Sequence, residues 1–167
     1  CLSVRGVARD LAAAGLGTLK KLKINKIKGD FVSKVKWSRE FDKEENHLCP
    51  GVSGRFFKNV KNIESPDWLK RRLTLIGLRP ISALVDITNF VTFDLGRPLH
   101  VYDADKLSGN LVMRKARQNE KCNTLDEKEY SLSSEMVVIS DDKILHGIGG
   151  VMGGLESGCS IETKNVF

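Results

Sequence analysis

Apolar residues recur at helical spacing at the start of the chain. Val4, Val7, Ala8, Leu11 and Ala12 form one stripe ahead of Gly15, which predicts a helix stopped by that glycine, since glycine readily takes the left-handed conformation of a helix end. The pattern then shortens. "KLKINKI" and "GRFFKNVKNI" alternate with a period near two and predict strands. In "SPDWLKRRLTLIGLRP", Ser65 can cap a helix, Pro66 fits its first position and Asp67 suits the positive end of the dipole; Gly77 ends the run and Pro80 prevents a restart. "SALVDITNFVTFDLGRP" carries two signals, because its β-branched residues favour a strand while Leu84, Ile87, Val91 and Leu95 recur near helical spacing before Gly96. We read it as a helix. From Leu111 onward, "LVMRKAR", "KEYSLS" and "MVVISD" read as short strands, punctuated by Asp141-Asp142 and a run of glycines. Early and middle helices with a β-rich second half predict an α+β fold, β-rich and layered, with helices packed on the sheet.

At 167 residues, with 41% hydrophobic and 29% charged content, the chain can bury a real core. Its first residues already read as a helix in progress. The expected organisation is therefore a helix over residues 1–17 continuing from a preceding domain, then one domain over 18–167, both cut from a longer protein. No charged-then-apolar leader opens the chain and no apolar run approaches the roughly 18 residues of a membrane span, so a soluble, cytoplasmic protein with no membrane partner is expected. Cys1, Cys49, Cys122 and Cys159 show no C-x-x-C or paired histidine spacing, which argues against zinc and a disulfide framework; reduced thiols and no metal are expected. The net charge of +6 changes the picture more. Residues 20–43 hold nine Lys/Arg against three Asp/Glu, which accounts for the whole excess. Phe31, Trp37 and Phe41 interleave with these cations, a nucleic-acid pattern, though strands with core-facing aromatics and solvent-facing lysines would look the same.

The densest chemical signal is "GIGGVMGG", residues 147–154, with five glycines in eight positions. It is not a phosphate cradle of a known kind. G-x-G-x-x-G fails because Met152 stands where the third glycine belongs, and the P-loop fails because Leu155-Glu156 follow Gly154. His47, His100 and His146 are the histidines, without a nucleophile elbow beside them, and Asp103/Asp105 and Asp141/Asp142 suit capping and turns as well as catalysis. From the residues alone, the chain is a basic α+β domain with a glycine-lined feature.

Residues 65–107, "SPDWLKRRLTLIGLRPISALVDITNFVTFDLGRPLHVYDADKL", closely resemble the editing module of the bacterial phenylalanyl-tRNA synthetase beta-subunit family. "CLSVRGVARDLAAAG", "CPGVSGRFFKNVKNI" and "GIGGVMGGLESGCSIETKNVF" agree with it in order, so the resemblance spans nearly the whole chain. It implies an assembly of two alpha and two beta subunits that uses ATP and magnesium to attach phenylalanine to its tRNA. This chain has none of the class II catalytic motifs and carries no cofactor of its own in that picture. What the resemblance implies for this module is hydrolysis of tyrosine mis-esterified to the phenylalanine tRNA.

Carried over by position, the resemblance places the pocket at Arg79 in "GLRP", Thr88 and Asn89 in "DITN", His100 in "PLH", Glu129 in "TLDEKEYSL", and Gly147 and Gly149 in "GIGG". It implies that Glu129 accepts the tyrosine phenol, while His100, Thr88 and Asn89 position the ester or its water. The glycines become a wall beside an aromatic ring, with Gly153 and Gly154 serving the turn, or else all of them serve packing. Lys20, Lys21, Lys23, Lys26, Lys28, Lys34 and Lys36 are the expected tRNA contacts. Two departures stand out. The family usually has Asp-Gly where this chain has Asp126-Glu127, which makes Glu127 a competitor of Glu129, and paired asparagines where it has Ser82-Ala83. A non-catalytic tRNA-binding or bracing module is the alternative function.

Overall fold

The computed structural model describes residues 2–167, and these divide into two compact units that interleave in sequence. The first comprises the stretch ending at Val32 together with Ile63–His100; the second comprises Ser33–Asn62 and Val101–Phe167.

Helices α1 (Val4–Ala13), α2 (Asp67–Leu75) and α3 (Ala83–Leu95) belong to the first unit. The fold is α+β, as expected, and within this unit α1 and α2 each pack on α3. Ser3 caps α1 by accepting from the Gly6 N–H at 2.8 Å, and Gly15, at φ +77°, closes it as the Leu16 N–H returns to Leu11 O. The predicted apolar stripe is not core: Val4, Val7 and Leu11 are all exposed. Helix α2 starts one residue later than its sequence suggests. Pro66 is the cap residue, in extended conformation, and Ser65 instead donates to Asp86 Oδ2 at 2.5 Å. That carboxylate is fully buried in the first turn of α3, where Oδ1 also accepts from the Ile81 N–H at 2.9 Å. Asp86 thereby ties the residue ahead of the Ser82 cap to the first turn of α3, and residues 83–95 resolve as a helix. Gly77 and Gly96, at φ +83° and +69°, end α2 and α3 as the sequence predicts.

Residues 21–27, expected to form a strand, have no regular structure. The physical reason is visible in their exposure: Ile24 and Ile27 are 79% and 71% accessible, so alternation found no apolar surface in this unit to cover.

Among the described residues, all seven strands belong to the second unit. A five-stranded sheet runs in the order β1 (Trp37–Glu40), β2 (Leu111–Lys115), β5 (Val137–Ser140), β6 (Leu145–Ile148), β7 (Met152–Gly153). β1 lies parallel to β2 in the register Trp37↔Leu111, and the remaining pairs are antiparallel. β3 (Glu120–Asn123) and β4 (Glu129–Leu132) form a separate hairpin. The second expected early strand, in "GRFFKNVKNI", survives only as a bridge between Phe57 and Val166. One core gathers Val35, Phe56, Tyr102, Leu111 and Phe167 with Trp37 against them; another gathers Ala116, Cys122, Leu132, Val138 and Leu145. Trp37 stands edge-on to Tyr102 at 6.4 Å, so this aromatic of the basic segment faces the core. Cys49, Cys122 and Cys159 are free thiols, and Cys1 lies outside the described residues.

Candidate functional site

The expected site residues divide between the units, and each part has its own local logic. In the first unit, Arg79 is exposed in the link between α2 and α3. Thr88 and Asn89 sit half-buried in the second turn of α3, with Thr88 Oγ1 donating back to Val85 O at 2.7 Å. After Gly96 the chain turns back along the helix, where the Leu99 N–H is held by Thr92 Oγ1 at 3.2 Å. Thr92 is one helical turn beyond Thr88, and the exposed His100 directly follows the residue so held. The groove bounded by α1, residues 16–23 and the end of α3, about 630 Å³, is lined by none of these residues.

In the second unit the glycine run is a hairpin and not simple punctuation. Gly147 pairs with Gly153 across β6 and β7, and the Ile148 carbonyl accepts from the Val151 N–H at 3.0 Å around a turn made by Gly149 and Gly150. Gly153 and Gly154, expected to serve the turn, instead lie in and just after β7. A Cβ on Gly154 would stand 2.7 Å from the His146 carbonyl carbon, and one on Gly147 would stand 2.8 Å from Met152 O, at a φ of +154°. A Cβ on Gly149 would reach Val137 Cγ1 at 3.0 Å, whereas Gly150, at φ +72°, faces open space. Close approach of the protein's own backbone thus accounts for the missing side chains at 147 and 154, the packing alternative raised by the sequence, while Gly149 lies tight against Val137.

The β3–β4 hairpin is tied to this feature by backbone bonds, Leu125 N–H to Gly153 O and Leu155 N–H to Asn123 O, both at 3.0 Å. It therefore brings Glu129, opposite Asn123 at the start of β4, to the same edge as the glycines. The Glu129 side chain is 51% accessible and its Oε1 is 2.6 Å from Lys121 Nζ. The connecting loop is a tight turn followed by a left-handed residue, Glu127 at φ +61°. A side chain in that conformation costs about 1–2 kcal/mol, a strain that glycine would not carry. Glu127→Gly should raise stability by about 0.5–1 kcal/mol after the entropy of the added glycine is offset, seen as a thermal midpoint higher by roughly 2–3 °C. A lower midpoint would mean that the Glu127 side chain makes a favourable interaction exceeding its backbone strain.

Sequence reasoning weighed His146 and Asp141 without joining them. His146 is fully buried on β6, with Nε2 2.7 Å from Asp141 Oδ2 in a close contact outside regular hydrogen-bond geometry. Asp141 accepts from the N–H groups of Ser108 (2.7 Å), Lys143 (2.8 Å) and Ile144 (2.9 Å). Burial by itself would raise this carboxyl, but the backbone donors of Ile144 and Ser108, then His146, outweigh it and hold the group below its ordinary range. Asp103 likewise takes the Asp105 N–H and the Thr163 hydroxyl, so both acidic pairs of the sequence contribute turn carboxylates. The expected cationic contacts Lys20, Lys21, Lys23, Lys26 and Lys28 are exposed in the first unit, and Lys34 and Lys36 in the second.

An α+β chain with a glycine-rich hairpin braced by a second hairpin is what this geometry defines, and the chain belongs to the B3/4 domain family, whose model matches residues 48–167. More particularly, it is 52% identical over its full length to the phenylalanine–tRNA ligase beta subunit of Paramagnetospirillum magneticum, covering 21% of that protein. It is 55% identical over 165 residues, 99% of its length, to the subunit of the same name from Mesorhizobium japonicum, covering 20% of it. The chain spans about a fifth of the length of these curated relatives. Among solved structures, an N-terminal fragment of the phenylalanyl-tRNA synthetase beta-subunit from Pyrococcus horikoshii shares the fold, with a TM-score of 0.54 at 17% identity over 98% of this chain and 49% of that one.

Proposed function

We propose that this chain is the editing module of a phenylalanine–tRNA ligase beta subunit, and that it hydrolyses tyrosine wrongly esterified to the phenylalanine tRNA. The observation that carries the reading is identity above one half to two beta subunits along essentially the whole chain. Chemistry makes such a site necessary: a pocket shaped for phenylalanine rejects an analogue that merely adds a hydroxyl by only about a hundredfold, whereas a second site with a buried acceptor for that hydroxyl can reach about 10⁴ to 10⁵.

In this reading Glu129 accepts the phenol, which requires it to exchange its Lys121 partner for the substrate. Arg79 and the main chain at Gly147 and Gly149 hold the aminoacyl group. His100, Thr88 and Asn89 orient a water against the ester carbonyl. The new C–O bond forms from that water, the ester bond to the terminal ribose breaks, and free tyrosine and an uncharged tRNA leave. No covalent nucleophile is needed, because an aminoacyl ester is already reactive and benefits mainly from orientation and oxyanion stabilisation. ATP, magnesium and the alpha subunit belong to aminoacylation by the parent assembly, and the exposed lysines from Lys20 to Lys36 supply sequence-independent attraction for the tRNA backbone.

The test is deacylation of tyrosine-charged phenylalanine tRNA by this chain and by the whole heterotetramer. Hydrolysis well above the spontaneous rate, with the phenylalanine ester largely spared, is expected. A spontaneous rate in both preparations would leave a module that only binds tRNA or braces the subunit, the alternative favoured by the Glu129–Lys121 ion pair.

A further inference from the structure

On α2 the buried side is made by Leu69 and Leu73, each 1% accessible, while Trp68 on the outer side is 53% accessible. A tryptophan that open on a surface helix is ordinarily mobile, but this one is held. Phe90 of α3 meets its ring edge-on, with centroids 5.5 Å apart at 85°, and the Arg72 guanidinium carbon lies 5.7 Å from the centroids of both rings. Arg72 is one turn beyond Trp68 and Arg71 is three residues beyond it, so both share its side of the helix. The neighbouring Lys70 is committed to Glu64 and Asp67. Among the described residues neither Arg71 nor Arg72 has a carboxylate partner.

We propose that α2 presents a nucleotide-stacking platform, in which Trp68, held by Phe90 and Arg72, stacks an unpaired base of RNA while Arg71 and Arg72 meet its phosphates. Each element has a physical reason. Any base offers a π-face, so stacking on an aromatic ring tolerates sequence. A ring already fixed by its neighbours loses little conformational freedom on binding. Guanidinium groups without carboxylate partners match phosphate geometry and stack on flat rings besides. RNA is favoured over a protein partner by this charge, and the inference rests on the reading that this chain handles tRNA.

The experiment follows fluorescence anisotropy of a labelled single-stranded RNA dodecamer and of labelled phenylalanine tRNA titrated with the full 167-residue chain, together with tryptophan emission. RNA should quench the emission that Trp68→Leu removes. Trp68→Leu should weaken binding on the order of tenfold or more with its salt dependence unchanged, and Trp68→Phe should retain most of the affinity. Arg71→Gln should weaken binding and flatten the log–log salt slope by about 0.7 for a lost single-strand phosphate contact. Circular dichroism should be the same for all the variants; were Trp68→Leu to unfold, Trp68→Phe and quenching in the wild type would decide. Unaltered affinity in Trp68→Leu, or tryptophan emission unmoved by saturating RNA, would overturn the platform and assign this face to a protein. Failure of editing is separable: Trp68-dependent RNA binding without deacylation keeps the platform and overturns the hydrolase, whereas deacylation with Trp68-independent binding does the reverse.

Discussion

Asp141→Ala should cost about 3–5 kcal/mol, because it removes an acceptor of three backbone N–H groups, and hydrogen bonds to a charged group contribute about 1.5–3 kcal/mol each without being fully additive. A small protein has only about 5–15 kcal/mol of stability in total, so the loss should bring the second unit close to unfolding. The carboxylate takes three backbone N–H groups and faces His146, with its side chain 1% accessible. Alanine leaves those donors without their acceptor and removes the anchor between the Ser108 loop and β6, the strand that carries Gly147. Urea unfolding followed by the emission of Trp37, in a Trp68→Phe background, reports this unit separately.

The pH dependence supplies a second check. The folded-state value of Asp141 is depressed, so its contribution is present above the ordinary carboxylate value near 3.9 and is lost as pH falls through the lower folded value. The stability gap between wild type and Asp141→Ala should be widest near neutrality and shrink below about pH 4. Asp141→Asn, which keeps one carbonyl acceptor, should fall between the two. A gap of the same size at pH 3 and pH 7 would show that the cavity and not the charge sets the loss.

Glu129→Ala should lower selectivity for tyrosine-charged over phenylalanine-charged tRNA by at least about tenfold, because a hydrogen bond to a charged group contributes on the order of 1.5–3 kcal/mol. Glu127→Ala should change it little. Glu127 occupies the left-handed turn position, whereas Glu129 is the strand residue facing Asn123, on the hairpin tied to the glycines. The Lys121 ion pair sharpens the test: Lys121→Ala frees the carboxylate and should leave selectivity intact or improve it. Equal selectivity in wild type and Glu129→Ala, or a larger loss in Glu127→Ala, would move the acceptor to another residue.

Local physics was legible in the chain. The spans of α1, α2 and α3 and their glycine ends follow from spacing and from left-handed stops, interactions that close within four or five residues. The strands at Leu111, Glu129 and Val137 follow from alternation between turn residues. Motif order carried the family and the seven candidate pocket positions without any structure. Only the tertiary structure decided the rest, because it depends on partners distant in sequence. "KLKINKI" alternates but finds no surface to cover, while Trp37–Glu40 becomes a strand by pairing with residues 74 positions away. Ser65 fits a cap by sequence but bonds to Asp86 instead, across 21 residues. The glycine run announced a special backbone, and its cause lies in neighbouring strands that leave no room for a Cβ at 147 and 154 and little at 149. A helix cap or a stop glycine is determined by neighbours along the chain, whereas the space beside a strand is determined by whatever the fold packs there, which no local pattern encodes.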